Sequence, residues 1–107
     1  MKEGRRLFIV VLRYQVPLDK TKRYIVLQKL TTQVYLEHGC LEVEVYRDAS
    51  DSQYWMEIYK FKDKQHYQEV ISAVAKDERI NPLSEEFNAL FDFREYRSEK
   101  NVYYKMM

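Results

Sequence analysis

An α+β domain with one four-stranded antiparallel sheet and helices on a single face is the fold class this 107-residue sequence predicts. Three observations carry the prediction. Two neighbouring stretches, "LEVEVYRD" (Leu41–Asp48) and "QYWMEIYKF" (Gln53–Phe61), alternate at period two, as strands with unlike faces do. Elsewhere apolar residues recur at helical spacing. The resulting order is strand, helix, strand, strand, helix, short helix, strand. Right-handed crossovers and hairpin adjacency close that order into one sheet, 4-1-3-2, the ferredoxin-like sandwich.

Leu7–Val16 is a continuous β-branched and aromatic run, expected as a central strand covered on both faces, and Pro17 ends it. Asp19 is placed to cap a helix carrying Tyr24, Leu27, Leu30 and Val34 on one side. Gly39, after His38, supplies the left-handed residue that stops it. The two alternating stretches then form a hairpin around "RDASDS", a run of turn-forming residues. With Ala49–Gln53 as the loop, the expected register sets Val45 opposite Met56, Val43 opposite Ile58, Tyr46 opposite Trp55, Glu44 opposite Glu57 and Glu42 opposite Tyr59. One face of the hairpin would then be acidic and aromatic, the other apolar. Asp63 can cap a helix with Tyr67, Val70, Ile71 and Val74, and Pro82 sits in the first turn of a short amphipathic piece with Ile80, Leu83, Phe87, Leu90 and Phe91. The last strand is expected from about Asp92 into "FREYRSE", leaving 98–107 as a C-terminal tail or arm of a single domain, 1–107.

Composition narrows the function classes. Eighteen Lys and Arg against seventeen Asp and Glu leave a net charge of +1, no field for recruiting nucleic acid or an acidic membrane. The mixed basic and aromatic run "SEKNVYYK" is therefore read as a terminal strand or dimer arm. Cys40 is the only cysteine, and His38 and His66 have no zinc-type spacing, so neither a disulfide nor a metal site is expected, and the compartment expected is the cytoplasm. The apolar run Leu7–Leu12 is too short for a secretory signal and is broken by Arg13; no stretch approaches a membrane span. Ten tyrosines suit interfaces and half-polar cavities. Because one sheet face has apolar residues and no helices, two copies are expected to pack face to face as a homodimer.

The run "HGCLEVEVYRDASDSQYWMEIYKFKDKQHYQEV", with the later "DERINPLSEEF", resembles the antibiotic biosynthesis monooxygenase family of the dimeric α/β barrel superfamily, over roughly Phe8 to Phe93. The resemblance implies a dimer through the sheets and a cleft between helices and sheet in each subunit, where members oxidise aromatic polyketides or quinols without metal or flavin. The family's cleft tryptophan falls on Phe61, its acidic residue two positions earlier on Tyr59, and its helix histidines near Val70 and Ser84. The asparagine of the haem-degrading branch has no match in "LFIVVLRYQV", so haem degradation is not implied.

Placing Phe61 in the cleft orients the hairpin: Trp55, Glu57 and Tyr59 face inward with Glu42, Glu44 and Tyr46, and Leu41, Val43, Val45, Met56 and Ile58 are left for the dimer interface. The candidate catalytic residues are Glu57 and Glu44, adjacent carboxylates of which one with a raised pKa can act as base, and Arg13 as anion stabiliser. Trp55, Tyr59, Tyr46 and Phe61 are the candidate substrate-binding residues, a platform for a planar small aromatic ligand. The plain alternative is a solvated hairpin with ordinary surface glutamates and packing aromatics. His66 reads as a surface residue, His38 as a helix-end residue and Cys40 as packing material. The function these readings support is a cofactor-independent monooxygenase acting on an aromatic or quinol-type substrate; the alternative is a non-enzymatic ligand-binding or stress-response dimer on the same fold.

Overall fold

The computed structural model describes residues 6–91 and 98–107. Strand β1 (Phe8–Gln15) leads through a 3-10 turn, Leu18–Lys20, into α1 (Thr21–Glu37). The hairpin β2 (Glu42–Arg47) and β3 (Tyr54–Phe61) follows, then α2 (Lys64–Ala75), α3 (Ile80–Asn88) and β4 (Ser98–Tyr104). The sheet is antiparallel with order β2-β3-β1-β4, the predicted 4-1-3-2 read from the other edge. It is an α+β ferredoxin-like fold.

Local chemistry sets most boundaries. Gly39 has φ 105° and ends α1, because a residue without Cβ adopts that backbone at little cost. Asp63 caps α2, its carboxylate accepting from the His66 N–H at 2.7 Å. Asp19, however, lies within the 3-10 turn, and α1 starts at Thr21 with no side-chain cap, so the expected cap is not used. Leu30 also departs from expectation. It is exposed, and the buried side of α1 carries Tyr24, Leu27, Gln28 and Val34.

Two corrections bear on the site. The loop Ala49–Gln53 closes with the Asp48 N–H donating to the Tyr54 carbonyl at 2.8 Å, while the Asp48 carboxylate accepts from Ser50 and Asp51 N–H. Counting back from that closure, Val45 lies opposite Glu57, Val43 opposite Tyr59 and Arg47 opposite Trp55, with Glu44 opposite Ile58 and Tyr46 opposite Met56. The expected register was one residue out, and at period two one residue exchanges the faces of a whole strand. The second correction concerns the bounds of the last strand: of the two readings of "SEKNVYYK", terminal strand or dimer arm, the strand is what forms. Ser98–Tyr104 is edge strand β4, and the Lys105 N–H donating to the Leu7 carbonyl at 3.0 Å extends its pairing with β1. The strand expected over 92–97 lies outside the described residues.

The helix-facing side of the sheet carries Phe8, Val10, Leu12 and Tyr14 from β1 and Trp55, Glu57, Tyr59 and Phe61 from β3. Phe8, Val10, Tyr59 and Phe61 pack with Val34, Val70 and Val74; Tyr14 and Trp55 pack with Tyr24, Leu27 and Leu90. The opposite side carries Ile9, Val11, Arg13, Met56, Ile58 and Lys60, and among the described residues no helix lies against it. Among the described residues no helix is long and apolar enough to cross a membrane.

Candidate functional site

A carboxylate on an inward-facing strand position is the unusual feature of this core. Glu57 is 3% exposed. An isolated ionised carboxylate there would carry a large desolvation cost, so its oxygens need donors. They have them: Tyr59 donates from its hydroxyl to Oε1 at 2.6 Å and Tyr24 donates to Oε2 at 3.0 Å. The Tyr14 hydroxyl donates to Tyr24 at 2.7 Å, and Gln28 Nε2 donates to Tyr59 at 3.3 Å and to Thr32 at 3.2 Å. The result is a connected polar chain from β1 through α1 to β3.

Burial dominates the electrostatics. Desolvation pushes the Glu57 carboxyl up to about 7, against the opposing effect of the Tyr59 hydrogen bond. The Tyr59 phenol is held well above its ordinary value by burial first and by the Glu57 charge second. Glu57 is thus poised to exchange a proton near neutrality while the Tyr59 phenol stays protonated. That is the range in which a general base is most effective.

Glu57 lines a cleft of about 300 Å³ between the sheet and helices α1 and α3. Leu12 and Tyr59 form the floor beside it, Tyr35, Leu83 and Phe87 the apolar sides, and Gln28, Thr31, Ser84 and Asn88 the polar ones. Two surface clusters hold the two helices together. Arg23 pairs with Glu86 across them, and Arg79 bridges Glu37 at 2.9 Å and Asp77 at 2.8 Å. The Arg79 guanidinium draws the Asp77 carboxyl well below the usual range. A smaller recess of about 100 Å³ shares Leu12, Tyr35 and Tyr59 with the cleft and adds Phe61, Tyr67 and Lys100. The Lys100 ammonium donates to the Tyr67 hydroxyl at 3.1 Å, which puts a cation beside the cleft.

The structure brings together only part of the expected set. Glu57 and Tyr59 share the cleft, and Phe61 lines the adjoining recess. Trp55 is on the same sheet face, but it lines a different groove, on the far side of Tyr24. Glu44 and Tyr46 are on the opposite face. There Tyr46 donates to Glu44 at 2.7 Å, and Lys60, 2.9 Å away, lowers the Glu44 carboxyl rather than raising it. Glu44 and Glu57 therefore do not form a pair. Arg13 is also on the opposite face, beside Met56 and Glu99 in register, and does not reach the cleft. Val43 and Val45, expected at a subunit contact, are on the Glu57 side.

Tyr24, Gln28, Tyr35 and Lys100 were missed. Tyr24, Gln28, Thr31 and Tyr35 fall at helical spacing, but Tyr24 was expected on the apolar side of α1 with Leu27 and Val34, and the glutamines on the opposite side. Cys40 is buried, its thiol donating to the Glu42 and Lys60 carbonyls at 3.4 Å and raised by burial, so it packs and bonds locally. His66 Nδ1 accepts from the Lys62 N–H at 2.9 Å, which fixes the start of α2. Among the described residues no group of three or more His, Cys, Asp and Glu is placed to hold a metal ion.

No protein-family model and no curated protein matches the chain. Solved structures do. SnoaB, a cofactor-independent oxygenase from Streptomyces nogalater, superposes with a TM-score of 0.74 at 12% identity, covering 95% of both chains. A protein from Nitrosomonas europaea, provisionally described as an antibiotic biosynthesis monooxygenase, gives 0.77 at 9% identity over 99% of this chain and 96% of the other. A conserved protein from Methanosarcina mazei Go1 gives 0.75 at 19% identity over 96% of both. At these identities the likeness establishes the fold. The resemblance read from the sequence holds at that level: structures of the antibiotic biosynthesis monooxygenase type are among those the chain superposes on.

Proposed function

We propose that the protein is a cofactor-independent monooxygenase whose substrate is a small aromatic of the quinol or anthrone type, bound in the cleft over Glu57. The observation that carries this reading is the buried, tyrosine-bonded Glu57 carboxyl, raised to about 7, at the floor of a cleft between helices and sheet. Such a substrate is its own reductant. Glu57 takes the phenolic or benzylic proton; the resulting electron-rich anion transfers an electron to dioxygen, and the radical pair recombines to a peroxide anion, which takes the proton back from Glu57 to become the hydroperoxide. Loss of water from it leaves one oxygen atom in the product as a carbonyl. Both reducing electrons come from the substrate, so the protein's tasks are proton removal, ring placement and exclusion of water. Tyr59 and Tyr35, with ring centroids 4.9 Å apart, supply aromatic surface, and Lys100, which lines the recess that shares Tyr59, takes the anion-stabilising role expected of Arg13. A homodimer through the helix-free sheet face completes the proposal.

A second reading, ligand binding without turnover, has one observation in its favour: both Glu57 oxygens already accept hydrogen bonds from the protein. Oxygen uptake with a panel of anthrones and quinols separates the two. Turnover that falls at least about a hundredfold in Glu57→Gln, the scale of a lost general base, is the expected result. Uptake unaffected by that substitution removes Glu57 from the mechanism; ring-dependent binding with no uptake leaves the binding reading.

A further inference from the structure

Across α1 from the cleft lies a groove of about 450 Å³ between α1 and the β2–β3 edge of the sheet, inside the range of about 300–1,000 Å³ that small-molecule sites occupy. Ile25, Val43, Val45 and Trp55 give it apolar walls, and Lys29 and Thr32 a polar border. Two observations point to a ligand. Trp55 is 7% exposed, yet among the described residues its indole Nε1 has no hydrogen-bond partner. A buried donor without an acceptor is unfavourable and rare. Lys29, exposed on α1, forms no ion pair with the described residues, and the Arg47 guanidinium lies 5.5 Å from the Trp55 ring centroid. No carboxylate lines the groove, so its charge is of one sign.

We infer that this groove binds a small amphipathic monoanion, an alkyl or aryl chain ending in one carboxylate. The chain lies against Ile25, Val43 and Val45, Lys29 and Arg47 attract the charge, and the Trp55 N–H gains an acceptor. The groove opens on the other side of α1 from the Glu57 cleft, with Gln28 lining both, and the inference holds whether or not that cleft is catalytic.

Trp55 is the sole tryptophan, so protein fluorescence reports the groove directly. Titration with octanoate is expected to give a saturable change, with octan-1-ol, the same chain uncharged, binding more weakly. Lys29→Glu weakens octanoate roughly three- to tenfold, the scale of an exposed charge contact. Val45→Phe fills the groove and abolishes binding, whereas Ser84→Tyr, which obstructs the cleft, leaves it unchanged. Equilibrium dialysis with labelled octanoate checks binding independently of the optical signal. No retained octanoate, equal affinity for the alcohol, indifference to Lys29→Glu or loss in Ser84→Tyr overturns the inference. So does failure to bind octanoate together with a dimer that Val45→Phe converts to monomer, since the occupant is then a second copy of the chain.

Discussion

Glu57 makes the stability of this protein depend on pH in a direction opposite to that of most carboxylates. Burial raises its carboxyl from 4.5 to about 7, so between those values the folded chain keeps a proton that the unfolded chain has released. Stability therefore falls as pH rises through that window and is level above it, a loss of about 3 kcal/mol if the full shift is expressed. In urea unfolding, the native protein is expected to be more stable at pH 5 than at pH 8, and Glu57→Gln to lose most of that difference. An unchanged slope in the variant would assign it to another group. Tyr59→Phe removes the hydrogen bond that opposes the shift, so the carboxyl midpoint, followed by its infrared band, moves further up. The candidacy of Glu57 and Tyr59 was legible in the sequence because both fall on one parity of a strand with Trp55 and Phe61. Burial and the Tyr24 partner were not, since a contact between residues 33 apart in the chain depends on how α1 crosses the sheet.

At the scale of elements, what could be read was what one residue decides. Gly39 ends α1 and Asp63 starts α2 because a left-handed backbone and a side-chain cap are local requirements. Gly39→Ala tests the first. A Cβ there would meet His66 Nε2 at 3.5 Å and Val70 Cγ2 at 3.7 Å, ordinary contact distances, so the expected loss of about 1–2 kcal/mol in urea unfolding is backbone strain alone. A loss well above that would mean the helix end has repacked. Hairpin register depends instead on where the loop closes, and the Asp48–Tyr54 closure moved Glu44 and Tyr46 to the far face while Val43 and Val45 came to the near one. β4 was legible only as one of two alternatives, terminal strand or dimer arm, and for another reason. Its exposed residues, from Ser98 to Tyr104, carry no apolar alternation, because an edge strand borrows its order from the one neighbour it pairs with.

Among the described residues one sheet face has no helix against it, and there Ile9, Val11, Met56 and Ile58 are partly or fully buried among Arg13, Glu44 and Lys60. Strands of up to eight residues at ~3.4 Å rise, four abreast at ~4.8 Å, give that face a plan area of roughly 500 Å². Corrugation raises the accessible area, but it stays at the small end of stable interfaces, which bury ~800 Å² per partner. A face-to-face dimer is therefore expected to dissociate measurably at micromolar concentration unless regions beyond the sheet join it. Ile58 is near the middle of the face, next to Val11 and Glu44 in register. Ile58→Glu would bury a carboxylate against its two-fold copy, so sedimentation equilibrium should give monomer at concentrations where the native chain is dimeric, with helix content unchanged. If the native chain sediments as a monomer throughout, or the variant stays paired, association does not use this face. The Glu57 cleft, which opens on the other side of the sheet, would then have to be complete within one chain.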